Sequence, residues 1–154
     1  LNIAGPGDVI GPLETAPVPV KDSAWAMETT CAVFLRAETL GEVVATFPPL
    51  AMALLQLQQQ RLTAGREREV AQSTRTVEQR VAGVLLQVAG RLGQSRPDGS
   101  VLLQVRLRRD DIAGMAATTV ESASRAMAKM KRNGLIDSGR EWVVLLDVAG
   151  LADL

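Results

Sequence analysis

Glu121 and Arg125 stand four residues apart in Thr119-Val120-Glu121-Ser122-Ala123-Ser124-Arg125. On a helix this spacing brings both onto one face. A guanidinium in that position can bond guanine O6 and N7 with its fork, and a carboxylate can accept from the cytosine amino group. The same pair also reads as a surface salt bridge worth about 0.2–0.5 kcal/mol. Both hold together if the pair orients Arg125 before it meets a base. Placement favours base reading. The pair lies at the start of a helix that follows a tight turn at Ala117-Thr118, and the first residues of the second helix of a helix-turn-helix meet base edges in the major groove. Val120 and Ser124 share that outer face. Ile112, Ala113, Ala123, Ala126 and Met127 supply the apolar and small side chains that let two helices cross closely.

Few other chemistries are open to the chain. It has no histidine and one cysteine, Cys31, so the usual zinc sites and Ser-His or Cys-His machinery are missing. The acids and serines form no grouping of nucleophile, base and orienting residue. No catalytic residue, metal site or cofactor is expected. A lone cysteine excludes an internal disulfide framework and suits a reducing compartment, so a cytoplasmic location is expected. No secretion signal opens the sequence, and no apolar run approaches the roughly 18 residues of a membrane span, so no membrane partner is expected. The chain begins at Leu1 rather than Met, as a processed or truncated product would.

The 154 residues carry zero net charge, but the average hides a gradient. Residues 1–105 hold nine basic and ten acidic side chains, whereas residues 106–140 hold eight basic and four acidic ones. Residues 141–154 hold three acids and no base. A local basic block in a neutral chain is the footprint of a polyanion-binding face, or of a merely solvated helix.

Three blocks position these residues. Residues 1–46, with Pro6-Gly7-Asp8, Gly11-Pro12, Pro17 and Pro19, read as the end of an all-β unit, with short strands expected at Trp25–Glu28 and Cys31–Leu35. So few strands would leave open edges. Residues 47–74 read as one helix entered through Pro48 and Pro49. Leu50, Leu57, Ala64 and Ala71 recur every seven residues, with Leu54, Arg61 and Arg68 between them. Such a heptad seam fits a dimer contact along Leu50, Leu54, Leu57, Arg61 and Ala64, or a helix lying on its own domain. Residues 75–154 read as a winged helix-turn-helix. A helix at 75–94 ends at Gly93, and a strand at Val101–Leu107 points Val101, Leu103, Val105 and Leu107 inward. Helices at Asp110–Ala116 and Thr119–Arg132 follow, the second ended by Asn133-Gly134. A hairpin of Leu135-Ile136 and Trp142–Leu146 closes around Ser138-Gly139. The expected fold class is α+β.

Arg109-Asp110-Asp111-Ile112-Ala113 leading to Thr119–Arg125 resembles the helix-turn-helix of the Crp/Fnr transcription regulators. The likeness continues through Asn133-Gly134-Leu135-Ile136 into the wing. It runs backwards over Val77–Leu92, the long helix and Gly5-Pro6-Gly7-Asp8-Val9-Ile10-Gly11, which is similar to a late turn of the family's cyclic-nucleotide-type β-barrel. It covers nearly the whole chain, with the front of that barrel missing. The resemblance implies a homodimer that reads double-stranded DNA at a near-palindromic site, with RNA polymerase as a further partner. It places the two base-reading positions at Glu121 and Arg125. Val120 stands where the cyclic-AMP receptor type has Arg, and Ser124 where the Fnr type has Ser. This implies a half-site resembling TTGA rather than TGTGA. Phosphate contacts are implied at Arg109, Thr119, Ser122 and Arg140.

Two departures from the family matter. Ala117 replaces the usual Gly of the turn, at a cost of about 1 kcal/mol if the position needs positive φ. Where cyclic-nucleotide binders carry Gly-Glu-Leu and Arg-Ser-Ala, this sequence has Gly11-Pro12-Leu13 and Asp22-Ser23-Ala24. That removes a ribose acceptor and sets an acid against the phosphate, so cyclic AMP is not expected to bind in the usual way. Cys31 alone cannot supply the four thiolates of an Fnr-type cluster. A module that senses a metabolite or protein, with DNA binding as its secondary output, remains the alternative, and its effector is unassigned.

Overall fold

The computed structural model describes residues 3–14, 16, 18–27 and 29–154; Leu1, Pro17 and Glu28 lie outside them. It forms two units, residues 7–70 in one and residues 71–154 in the other, the latter joined by the residues up to Pro6.

In the first unit, no strand forms among the described residues before Ala37. Of the strands expected at Trp25–Glu28 and Cys31–Leu35, the described residues form no regular element and pair in no ladder, with Trp25 68% and Phe34 86% exposed. A strand needs a partner edge for its backbone N–H and C=O groups, and local propensity does not provide one. The expected β block also gives way to helix α1 (Ala37–Thr46). Helix α2 (Pro48–Thr74) opens at the two prolines as expected. It buries no residue, yet Leu50, Leu54, Leu57 and Ala64 are half-covered and the Arg61 guanidinium donates to the Val9 carbonyl. Met52, Leu55, Leu62 and Val70 remain 60–65% exposed.

The second unit begins with helix α3 (Val77–Leu92). The Thr76 hydroxyl accepts from the Gln79 N–H at 3.2 Å, and the Gln79 side chain accepts from the Thr76 N–H at 2.8 Å. This reciprocal cap satisfies two donors that a helix start leaves open. Helix α3 buries Val81, Ala82, Val84, Leu85 and Val88. After it come β1 (Gln94–Ser95), β2 (Val101–Leu103), α4 (Arg109–Met115), α5 (Val120–Arg132), β3 (Ile136–Ser138), β4 (Val143–Leu145) and α6 (Val148–Ala152). The sheet is antiparallel in the order β1-β2-β4-β3, with Leu103 opposite Val143 and Ile136 opposite Leu145. The regular strand stops at Leu103, short of the expected Leu107. Even so, Leu103 and Leu107 are buried while Val101 and Val105 are half-buried.

Helices α3, α4 and α5 pack on one another, and α6 packs on α3. Leu85, Leu103, Ile112, Met127, Met130, Ile136, Leu145 and Leu151 are fully buried between helices and sheet. Each such side chain contributes about 1.5–3 kcal/mol of transfer free energy. The Asp147 carboxylate caps α6 by accepting from the Gly150 N–H at 2.8 Å.

Candidate nucleic-acid interface

Helices α4 and α5 meet at a turn whose backbone follows from its hydrogen bonds. The Thr118 N–H reaches back to the Ala113 carbonyl at 3.0 Å, and the Ala117 N–H to the Gly114 carbonyl at 3.4 Å. That pattern is a Schellman ending, which places its C′ residue in the left-handed region. The residue is Ala117, with φ of 47°. The same pattern ends α5, where Leu135 reaches Met130 at 3.0 Å and Gly134 reaches Lys131 at 3.1 Å. There the C′ residue is Gly134, with φ of 73°.

Helix α5 starts at Thr119, whose hydroxyl accepts from the Ser122 N–H at 3.2 Å. Ala123, Ala126, Met127 and Met130 on its inner face are buried, the small residues allowing the close approach to α4. The outer face carries Val120, Glu121 and Arg125, all exposed, with Ser122 and Ser124 half-buried. Arg125 Nη2 donates to Ser122 Oγ at 3.2 Å. Among the described residues it has no ion pair with Glu121, so it is held near the helix start by a hydroxyl and not by the carboxylate.

The other expected contacts divide. Arg140 is exposed on the turn between β3 and β4. Arg109 is half-buried: Nη1 lies 2.7 Å from Met127 Sδ, and Nη2 donates to Ser138 Oγ at 3.5 Å. Its desolvation lowers its pKa from the usual guanidinium value, though an arginine stays charged. Arg109 therefore ties α5 to the wing.

The wing is braced from both sides. Lys131 Nζ pairs with Asp137 Oδ1 at 2.6 Å and donates to the Ser138 carbonyl at 3.2 Å. Arg106 pairs with Glu141 at 2.9 Å. The Trp142 ring lies against Gly139, where a Cβ would stand 2.5 Å from Nε1, so a side chain there would displace the ring. Lys129 pairs with Glu78 on α3 at 2.5 Å. Three of the cations in the basic block are thus matched by carboxylates. Arg108, Arg125, Arg132 and Arg140 are exposed and have no ion-pair partner among the described residues. Among those residues no group of three His, Cys, Asp or Glu could hold a metal ion, and no single helix is long and apolar enough to cross a membrane.

Residues 79–154 match the family described as the Crp-like helix-turn-helix domain. This part of the chain is a Crp-like helix-turn-helix domain. The electron transport regulator A of Shewanella oneidensis is 26% identical over 141 residues, covering 92% of this chain and 56% of that protein. The transcriptional activator protein anr of Pseudomonas aeruginosa is 26% identical over 151 residues, covering 97% of this chain and 61% of its own length. The chain thus spans somewhat over half the length of these curated relatives. The solved structure of FixK2 from Bradyrhizobium japonicum superposes with a TM-score of 0.70 at 22% identity, covering 78% of this chain and 59% of that one. That likeness concerns the fold alone.

Sequence reading missed Arg80 of α3, whose guanidinium reaches the turn between α4 and α5. It also passed over the Thr76-x-x-Gln79 signature that starts α3, although that signal is local and legible.

Proposed function

We propose that this chain is a sequence-specific DNA-binding transcription regulator of the Crp/Fnr type that acts as a homodimer on a near-palindromic site. The observation that carries the reading is the presentation of Glu121 and Arg125. Both are exposed in the first two turns of α5, just beyond a turn that an internal hydrogen-bond pair holds in left-handed backbone. Helix α5 enters the major groove with Val120, Glu121, Ser124 and Arg125 toward the bases. Thr119, Ser122, Arg109 and the wing residue Arg140 take phosphates, Arg109 while holding the wing to α5. The half-site is TTGA-like.

Helix α2 supplies the dimer contact. Leu50, Leu54, Leu57, Arg61 and Ala64 form the heptad row, and part of it is already occupied within its own unit. The open row Met52, Leu55, Leu62 and Val70 faces the second copy, extending about 27 Å along the helix at 1.5 Å per residue. The working partners are duplex DNA, a second copy and RNA polymerase, in the cytoplasm, with activation the expected output. Cyclic AMP is not the effector.

Selection of bound duplexes from a random pool by the purified chain tests this reading. Enrichment of a palindrome with half-site centres roughly 34 Å apart is expected. A pool that stays random after several rounds sinks the proposal.

A further inference from the structure

Arg80 makes a set of contacts that the DNA-reading face does not require and that no base or phosphate contact would explain. Its Nε donates to the Ala116 carbonyl at 2.8 Å, and Nη2 to the Ala117 carbonyl at 3.4 Å. Nη1 donates to the Arg75 carbonyl at 2.9 Å and to the Gln72 carbonyl at 3.4 Å. The first two carbonyls lie in the turn that ends α4, and the other two at the end of α2. Gln72, Arg75, Arg80 and the turn all belong to one unit.

Two helix C-termini, each carrying unsatisfied carbonyls and the negative end of a dipole, thus converge on one guanidinium. A planar fork with five N–H donors can serve several acceptors at once, whereas a lysine ammonium is a point charge on a flexible stem. The turn so held contains Ala117 in left-handed backbone, a conformation an alanine does not favour by itself. Thr119, which starts α5, follows two residues later, so the backbone path of the turn sets the direction in which Glu121 and Arg125 point.

We infer that Arg80 is a positioning residue for base reading, clamping the turn between α4 and α5 so that the α5 outer face is presented in one orientation. This rests on the DNA-reading function proposed above. The prediction separates it from a purely structural role: loss of Arg80 lowers the ratio of specific to random binding and leaves the phosphate-driven component intact.

The test uses the whole chain and three variants: Arg80→Gln, Arg80→Lys and the double variant Arg80→Gln/Ala117→Gly. The glycine relieves the left-handed strain and offsets stability lost with the guanidinium. Urea midpoints are measured beside anisotropy titrations on the selected duplex and on a scrambled one, at several salt concentrations. Arg80→Gln is expected to lose about tenfold or more of the specificity ratio while its salt slope stays at the wild-type value. The double variant is expected to regain the midpoint and not the ratio. Arg80→Lys keeps the charge and serves as the milder variant; it too is expected to lose the ratio. Recovery of the ratio together with stability in the double variant overturns the inference, as does a full ratio in Arg80→Lys. A salt slope reduced by about one overturns it as well, because Arg80 would then be a phosphate contact. A wild-type chain that does not distinguish the two duplexes removes the function on which the inference rests, and the inference with it.

Discussion

Replacing Ala117 with glycine should make the second unit more stable, although it removes a methyl group from a helix-turn-helix. Ala117 has φ of 47° and occupies the C′ position of a Schellman ending. Left-handed backbone costs a residue with a Cβ about 1–2 kcal/mol. Glycine avoids that cost but gives back about 0.5–1 kcal/mol through its greater freedom in the unfolded chain. The net gain is about 0.5–1 kcal/mol, or a Tm rise of about 2–8 °C for a unit of this size. Gly134 is the matched control. It has φ of 73° at the same position of the α5 ending, and a Cβ built there meets nothing within 4 Å. Gly134→Ala therefore tests backbone strain without a steric clash and should lower stability by about 1 kcal/mol. Thermal and urea unfolding of the two variants beside the wild type measures both effects. A drop in Tm for Ala117→Gly, or a neutral Gly134→Ala, refutes the reasoning.

Further outcomes follow from the packing and the charges. Leu103→Ala empties a fully buried site between sheet and helices and should cost about 2–5 kcal/mol in urea unfolding. Asp137 is held below the usual carboxylate range first by its hydrogen bond with Lys131 and then by the Ser138 N–H. A lowered folded-state pKa stabilises above the unfolded value and the contribution fades as pH falls through the folded one, so the wing should loosen below about pH 4. Trp142 fluorescence against pH should show that change, and it should be absent in Asp137→Asn. Leu55→Glu/Leu62→Glu should convert a dimer to monomers in sedimentation velocity, whereas a dimer that persists would place the contact elsewhere. Titration calorimetry should show no micromolar binding of cyclic AMP, and a clear isotherm would contradict that expectation.

The parts of the fold legible in the sequence are those governed by local signals. Asn133-Gly134 as a stop and the small residues Ala113 and Ala123 marked the two helices of the turn within a residue or so, although Thr119, read as the first helical residue, is the cap. Ser138-Gly139 likewise marked the wing. The strands expected around Trp25 and Cys31–Leu35 failed because a strand is stabilised by another strand, and β-forming residue types do not supply one. Helix α1 was hidden in the same block, where Val43, Val44 and Thr46 are β-forming residue types. Short elements such as β1 and α6 depend on tertiary contacts, with Leu151 of α6 buried against the rest of the unit. The site was only partly legible. Spacing put Glu121 and Arg125 on one face, but it could not tell that Arg125 bonds Ser122 or that Arg109 turns toward Met127 and Ser138. Nor could it find Arg80, whose acceptors include carbonyls 36 and 37 residues further along the chain.

Base reading through α5 carries the proposed function. Fluorescence anisotropy of the purified chain on a TTGA-type palindrome and on a scrambled duplex of equal length, at several salt concentrations, tests it most directly. A preference of about 10³-fold or more for the palindrome is expected, with Arg125→Ala losing about 1–3 kcal/mol on the palindrome alone. Equal, salt-steep binding to both duplexes, unchanged by Arg125→Ala, would contradict it.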